Sequence, residues 1–283
     1  MAHDPCRLRE SVGGDGARLA GYAHGGHLTG WWPPGHDDSV LWMSPTTRCA
    51  SPVAIRGGVP VVFPQFGSLG PLRKHGLVRD VAWDVLGSGA GPDEVVGEDD
   101  SGAAVFVAGT DVGPTEAWPN EARLTLTARA TGTRLIVRLD VHNTGPSPLH
   151  FTAALHTYLA VGQRGSRVTG LDGMLATNAL ADREQTLLSD ALPTDAAMDL
   201  MVRDVGDRPV TVAEPSGPAV TMTATGFTDR VVWNPGAGHT LPDVPPGHEA
   251  GFVCVEPAVL APVPLDPQQR WSGTMDLQWY RHA

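Results

Sequence analysis

Leu124, Leu126 and Ala128 alternate with polar residues, Thr131-Gly132 follows, and Leu135, Val137, Leu139 and Val141 alternate again. A period of two puts each apolar set on one face of a pleated strand, which an amphipathic helix cannot do, and the glycine turns the chain back on itself. The pair reads as an antiparallel hairpin. The rest of the chain has the same character. Its 34 glycines and 25 prolines are spread along the whole length, and few segments sustain a 3.6-residue apolar period. Further strands are expected at 40–43, 103–108, 209–212, 219–223, 230–233 and 275–279. A long extended segment is expected over 149–161, and a strand at 251–256 should stop at Pro257. The expected fold class is all-β, a large antiparallel sandwich or barrel.

No internal repeat, low-complexity linker or long charge block marks a boundary, so residues 1–283 read as a single domain. The first forty residues are expected to add an outer strand and loop. The acidic stretch 89–102 reads as a solvated loop without function. A net charge of −11 and a pI near 5.3 argue against the broad basic face that nucleic acid or an anionic membrane requires. The start MAHDPCRLRE lacks a basic region followed by an apolar run, and nothing approaches a membrane span. A cytoplasmic monomer is expected. Cys6, Cys49 and Cys254 are odd in number and form no CxxC pair, so reduced thiols are expected, without a disulfide framework or zinc site.

Within this acidic chain the stretch AIRGGVPVVFPQFGSLGPLRKHGLVR (54–79) gathers Arg56, Arg73, Lys74, His75 and Arg79. Arginine offers a planar fork of donors suited to phosphate or carboxylate oxygens, and Gly57 and Gly58 would let backbone approach a ligand closely. The expectation is a small anionic substrate. Downstream, His156 interrupts an apolar strand and shares a face with Ala154 and Tyr158. It is either a core imidazole satisfied by backbone or an acid/base group. Glu256 ends the apolar run FVCVE. It either meets solvent at the strand end or is a desolvated carboxylate with a raised pKa. Together the two would form an acid/base pair. No nucleophile elbow, phosphate loop or dinucleotide fingerprint is present, which points to proton-transfer chemistry without a cofactor. Neither His24 with His27 nor His150 with His156 falls in a ligand pattern, so no metal is expected.

Four separated segments, AIRGGVPVVFPQFG at 54–67, KHGLVR at 74–79, LHTYLAVG at 155–162, and VVWNPG with FVCVEPA between 231 and 258, resemble the hexose-6-phosphate mutarotases. These are also called glucose-6-phosphate 1-epimerases, and belong to the aldose 1-epimerase superfamily. The resemblance implies a β-sandwich of the galactose mutarotase type with a concave sugar-binding face. By position it implies that His156 is the general acid and Glu256 the general base. Arg56 and Arg79 match the phosphate-facing arginines, and His75 the active-site histidine. Asp199, in AMDLMV, aligns with an aspartate that binds sugar hydroxyls. Lys74 stands where related sequences often carry glutamine, and Val78 replaces the usual alanine. Arg73 is left as surface charge. The implied reaction interconverts the anomers of a hexose 6-phosphate by ring opening and reclosure. The alternatives are an epimerase of unphosphorylated sugar, a non-catalytic carbohydrate-binding protein on the same scaffold and, last, a glycoside hydrolase or lyase.

Overall fold

The computed structural model describes residues 4–50, 52–86, 96–98 and 102–281, with 96–98 described by backbone alone. The hairpin expected around Gly132 forms with the expected partners. Leu124 pairs with Val141, Leu126 with Leu139 and Ala128 with Val137, all fully buried. Thr131 pairs with Arg134, so the loop is Gly132-Thr133, and Gly132 takes the positive φ of 52° that such a two-residue turn requires. Around this hairpin lies a ten-stranded antiparallel sheet. It runs from Leu192–Pro193 through Arg167–Thr169, Val210–Ala213, Ala219–Thr225, Arg270–Tyr280, Arg134–Asn143, Ala122–Thr131 and Ala104–Val112 to Asp84–Val85, with Val96–Glu98 also paired to Ala104–Val112.

A second, eight-stranded sheet runs from Glu184–Leu187 through Leu175–Asn178, Met198–Val202, Asp229–Asn234, Phe252–Leu265 and Leu149–Leu155 to Val61–Val62, with Tyr158–Ala160 also paired to Phe252–Leu265. The two sheets share one apolar core. Leu126, Leu139 and Leu277 from the first meet Phe151, Leu155, Val232, Val253 and Val255 from the second. The N-terminal region is more than one outer strand: Arg9–Val12, Arg18–Tyr22 and His27–Trp32 form a three-stranded sheet, and Trp31 is fully buried in the common core.

Four local expectations are corrected. The segment 149–161 breaks at His156-Thr157, where Thr157 donates both N–H and Oγ1–H to Leu155 O. The strand through Glu256 does not stop at Pro257 but continues to Leu265. Pro257 lies opposite that break, on the side where Val255 N–H reaches Thr157 O, so its missing donor costs no ladder bond. Segment 40–43 makes only isolated bridges, Leu41 to Leu159 and Met43 to Gly57. Cys6 and Cys49 are not free thiols but a disulfide. The spacing rule failed because the two cysteines, 43 residues apart, meet only through the tertiary fold. Most of the acidic stretch 89–102 lies outside the described residues.

Candidate active site

Because side chains alternate along a strand, the eight-stranded sheet splits each strand between two environments. In Phe252–Leu265, Val253, Val255 and Val259 enter the inter-sheet core, whereas Phe252 and Cys254 pack in a small separate cluster and Ala258 and Leu260 in another. Glu256 lies between those two clusters on the same outer face. Cross-strand register then builds two rows. One aligns Asp199 with Trp233, Trp233 with Cys254 and Cys254 with Tyr158; the other aligns Met201 with Val231 and Val231 with Glu256. His156, displaced from the ladder by the break before Tyr158, stacks on the Tyr158 ring at 4.9 Å and brings Nδ1 to 3.3 Å from Glu256 Oε1.

These two groups form the floor of a pocket of about 270 Å³, whose lining includes all seven residues singled out from sequence: Arg56, Lys74, His75, Arg79, His156, Asp199 and Glu256. A second cavity, of about 490 Å³ between 36–43 and the strands near Val212 and Val220, contains none of them. Burial bears on both open readings of the sequence. Glu256 is 1% exposed, so it does not point to solvent. The His156 ring is not satisfied as an ordinary core histidine. Its Nδ1 and Glu256 Oε2 are buried without an aligned hydrogen-bond partner, and the 3.3 Å approach is an ion-pair distance without hydrogen-bond geometry. Unmet buried polar atoms are costly in a finished core and ordinary in a site awaiting a polar ligand.

The cations sit on loops that arch over this face. Arg56 donates Nε–H to Asp243 at 3.0 Å and Nη1–H to the Tyr158 hydroxyl at 2.8 Å. Burial opposes its charge, but Tyr158 and Asp243 outweigh burial and its pKa is raised. Arg79 is tied to Lys74 O at 3.2 Å. His75 adopts φ 68°, unusual for a non-glycine residue. The Gly67 backbone holds it there: His75 N–H donates to Gly67 O at 2.9 Å, and Gly67 N–H donates to His75 Nδ1 at 3.3 Å. An accepting Nδ1 leaves Nε2 as the proton-bearing nitrogen. Gly57 and Gly58 are not among the residues that line the pocket. A Cβ on Gly58 would lie 2.1 Å from Leu28 O and one on Gly57 2.5 Å from Trp42 O, so both glycines serve close packing against the protein's own backbone. Arg73 is an exposed surface charge outside the pocket, as expected, but it is paired. It bonds both oxygens of Asp80 and the carbonyls of Gly76 and Leu77, clamping the loop that presents Arg79.

The fields inside the pocket separate the two floor residues. Burial, then Asp199, pushes the Glu256 carboxyl well up, against the pull of Lys74 and Arg79. Burial, then His75, Arg56 and Arg79, pushes the His156 imidazole well down. Burial thus works against both charges, toward a neutral imidazole beside a protonated carboxyl. That state and the imidazolium–carboxylate ion pair contain the same number of protons, so one converts to the other by a single transfer without exchange with water. Burial also raises Asp199, opposed by Lys74 and Arg183, and lowers His75 to about 3.

Several residues that line the pocket or touch its lining have no signature in the sequence. Arg183 sits in a loop with φ 64°, and Asp243 lies in an irregular segment. Trp233 was legible only as part of a strand, yet its ring meets His156 edge-on at 5.9 Å. Cys254 shares a face with Glu256 in the sequence itself, and is buried beneath the pair. Among the described residues two groups bring three metal-type donors within 4.8 Å of one another: Cys6, His24 and Cys49, and His156, Cys254 and Glu256. The two sulfurs of the first are bonded to each other, and the second is the floor pair itself.

A family model described as aldose 1-epimerase matches residues 12–278. A relative from Escherichia coli K12 named "Putative glucose-6-phosphate 1-epimerase" is 31% identical over 241 residues, covering 83% of this chain and 77% of that one. Another with the same name, from Cenchrus ciliaris, is 28% identical over 264 residues, covering 90% and 79%. A crystal structure titled as a "putative mutarotase" from Salmonella typhimurium superposes with a TM-score of 0.81 at 23% identity over 97% of this chain and 90% of that chain. It shares the all-antiparallel fold. No helix among the described residues is long and apolar enough to cross a membrane.

Proposed function

Since the chain belongs to the aldose 1-epimerase family and is an isomerase, we propose that its substrate is a hexose 6-phosphate whose α and β anomers it interconverts. The observation that carries this reading is the division of one pocket into a buried proton-transfer pair, His156 with Glu256, and a cationic rim of Arg56, Lys74 and Arg79 beside a neutral His75. The printed names of the relatives from Escherichia coli and Cenchrus ciliaris point the same way.

In the reactive form Glu256, as carboxylate, takes the proton of the anomeric hydroxyl while His156, as imidazolium, gives one to the ring oxygen. The C1–O5 bond breaks and the sugar opens to an aldehyde. Rotation about C1–C2 presents the other carbonyl face, and the reverse transfers close the ring with C1 inverted. Each positioned acid or base contributes on the order of 10² to 10⁴ in rate, enough for a reaction that already proceeds in water. Arg56 and Arg79 hold the phosphate through charge-assisted hydrogen bonds while C1 turns. Asp199, on the neighbouring row, is placed to accept from a sugar hydroxyl, and Trp233 and Phe66 supply apolar wall.

Exchange NMR on glucose 6-phosphate and glucose side by side tests the assignment. The phosphosugar should have the larger kcat/KM. Loss of a charged hydrogen bond costs about 1.5–3 kcal/mol, so Arg56→Ala with Arg79→Ala should raise KM for glucose 6-phosphate by at least about tenfold. A KM that stays put would assign the arginines to structure and favour an unphosphorylated aldose.

A further inference from the structure

The same cations that suit a phosphate face the acid they would have to spare. His156 stacks on Tyr158, whose hydroxyl accepts from Arg56. His75 stands 5.4 Å away on the opposite loop, and Arg79 acts on the ring from the same loop. From the long strand come Glu256 at 3.3 Å and Cys254 within 4.8 Å, and from the next strand Trp233. Apart from Glu256, every charged group that acts on the imidazole is a cation or a histidine that could become one. The pair is not placed symmetrically toward the rim: the Tyr158 ring that stacks on His156 carries the hydroxyl bonded to Arg56, whereas the charged group that acts most on Glu256 is Asp199. A dianion at Arg56 and Arg79 therefore relieves His156 more than Glu256 and favours the proton on the imidazole.

Building on the phosphosugar reading, we propose that the cationic rim is an activating oxyanion site: a free phosphite or phosphate dianion seated on Arg56 and Arg79 switches on epimerisation of unphosphorylated hexose. The step it promotes is internal. An O–H bond of the Glu256 carboxyl breaks, an N–H bond forms on His156, and the total number of protons is unchanged. The phosphate of the natural substrate then has two duties, holding the sugar and arming the acid, and the second does not require a covalent link to the sugar.

The test titrates phosphite into the wild-type enzyme with glucose and follows anomer exchange by NMR, subtracting the enzyme-free rate at each phosphite concentration. Occupancy of the rim is read independently as competitive inhibition of glucose 6-phosphate turnover. The expected result is a saturable rise of at least about tenfold in the glucose rate, equivalent to about 1.4 kcal/mol of barrier. It should be half-maximal at the phosphite inhibition constant and absent in Arg56→Ala with Arg79→Ala. Nitrogen-15 shifts of His156 should move toward imidazolium over the same range. Phosphite that competes with glucose 6-phosphate yet leaves both the glucose rate and His156 unchanged overturns the proposal, and so does phosphite that does not compete at all. If glucose 6-phosphate is turned over no better than glucose, the phosphosugar reading itself is lost. Turnover of glucose 6-phosphate with inert phosphite removes only the arming role.

Discussion

In the ten-stranded sheet Ala122–Thr131 and Arg134–Asn143 alternate buried and open positions along most of their length. In the eight-stranded sheet Phe252–Leu265 is buried at every position from Phe252 to Leu260. Both sheets turn one face to the same core, so the difference lies in what covers the other. On the first sheet it is water, and Arg134 with Asp276 or Arg138 with Asp140 remain hydrated ion pairs. On the second it is the arch of loops that carries Arg56, His75 and Arg79. A polar side chain there loses its hydration and has to find a partner or wait for one. His156, Glu256 and Asp199 lie on that covered face, which is why three residues unremarkable in composition are the ones proposed to carry the chemistry.

The comparison is broken most directly by Glu256→Gln. It removes a proton acceptor from the covered face without changing shape, and should lower kcat on the order of 10² to 10⁴ while leaving thermal unfolding near that of the parent. A near-normal rate would move the base elsewhere. The converse probe is Leu126→Ala on the core face of the other sheet. Leu126 is fully buried, so the cavity should cost about 2–5 kcal/mol of stability, read as a lower denaturant midpoint. The surviving folded enzyme should keep its kcat/KM, and a large kinetic loss at matched folded fraction would mean that the sheets are not so separable.

Acid should reveal the covered face as well. His75 has its pKa lowered to about 3 by burial, then by Arg79, Lys74 and Arg56, whereas in the unfolded chain it is near 6.5. Between those values the unfolded state binds a proton that the folded state refuses. Stability from this group is therefore whole above about pH 6.5 and is lost as pH falls toward 3, with a slope of about 1.4 kcal/mol per pH unit. His75→Asn, which tolerates the left-handed backbone, should flatten the pH dependence of the unfolding free energy by about that slope. An unchanged slope would mean that the imidazole is protonated in the native site.

How far these features were legible follows from the range of the interactions that make them. The hairpin at 122–143 is local, and its alternation and Gly132 sufficed. The strand through Glu256 was visible, but Pro257 hid its continuation, because only the break at Thr157 on a distant segment excuses the missing donor. His156 and Glu256 each stood out as polar residues in apolar runs. Their 3.3 Å approach needs the register between Tyr158–Ala160 and Phe252–Leu265, which neither segment contains alone. The resemblance to a known family supplied the pairing. It could not supply Asp243 or Arg183, which reach the site or its arginine from loops whose course depends on the whole arch. The partner of Arg73 was out of reach for the same reason, since Asp80 declares itself only when the loop closes.

The smallest expected effect belongs to the open face. Arg138 is about half exposed and bonds Asp140 two residues away at 2.7 Å, with Ser272 at 2.9 Å. Water screens that pair, and the hydrogen bond to Asp140, then its charge, raises the Arg138 pKa without making the pair a large contributor to folding. Arg138→Ala should change the unfolding free energy by no more than about 1 kcal/mol and leave anomer exchange at the parental rate. The result is informative because Arg138 and Arg56 are both arginines bonded to an aspartate, at 2.7 and 3.0 Å, the first on an open sheet face and the second on a loop over a covered one. If removing Arg138 were as damaging to turnover as removing Arg56, charge alone and not its placement over a desolvated pair would govern the enzyme. If only Arg56 matters, the cover over the eight-stranded sheet is what converts an ordinary ion pair into part of a site.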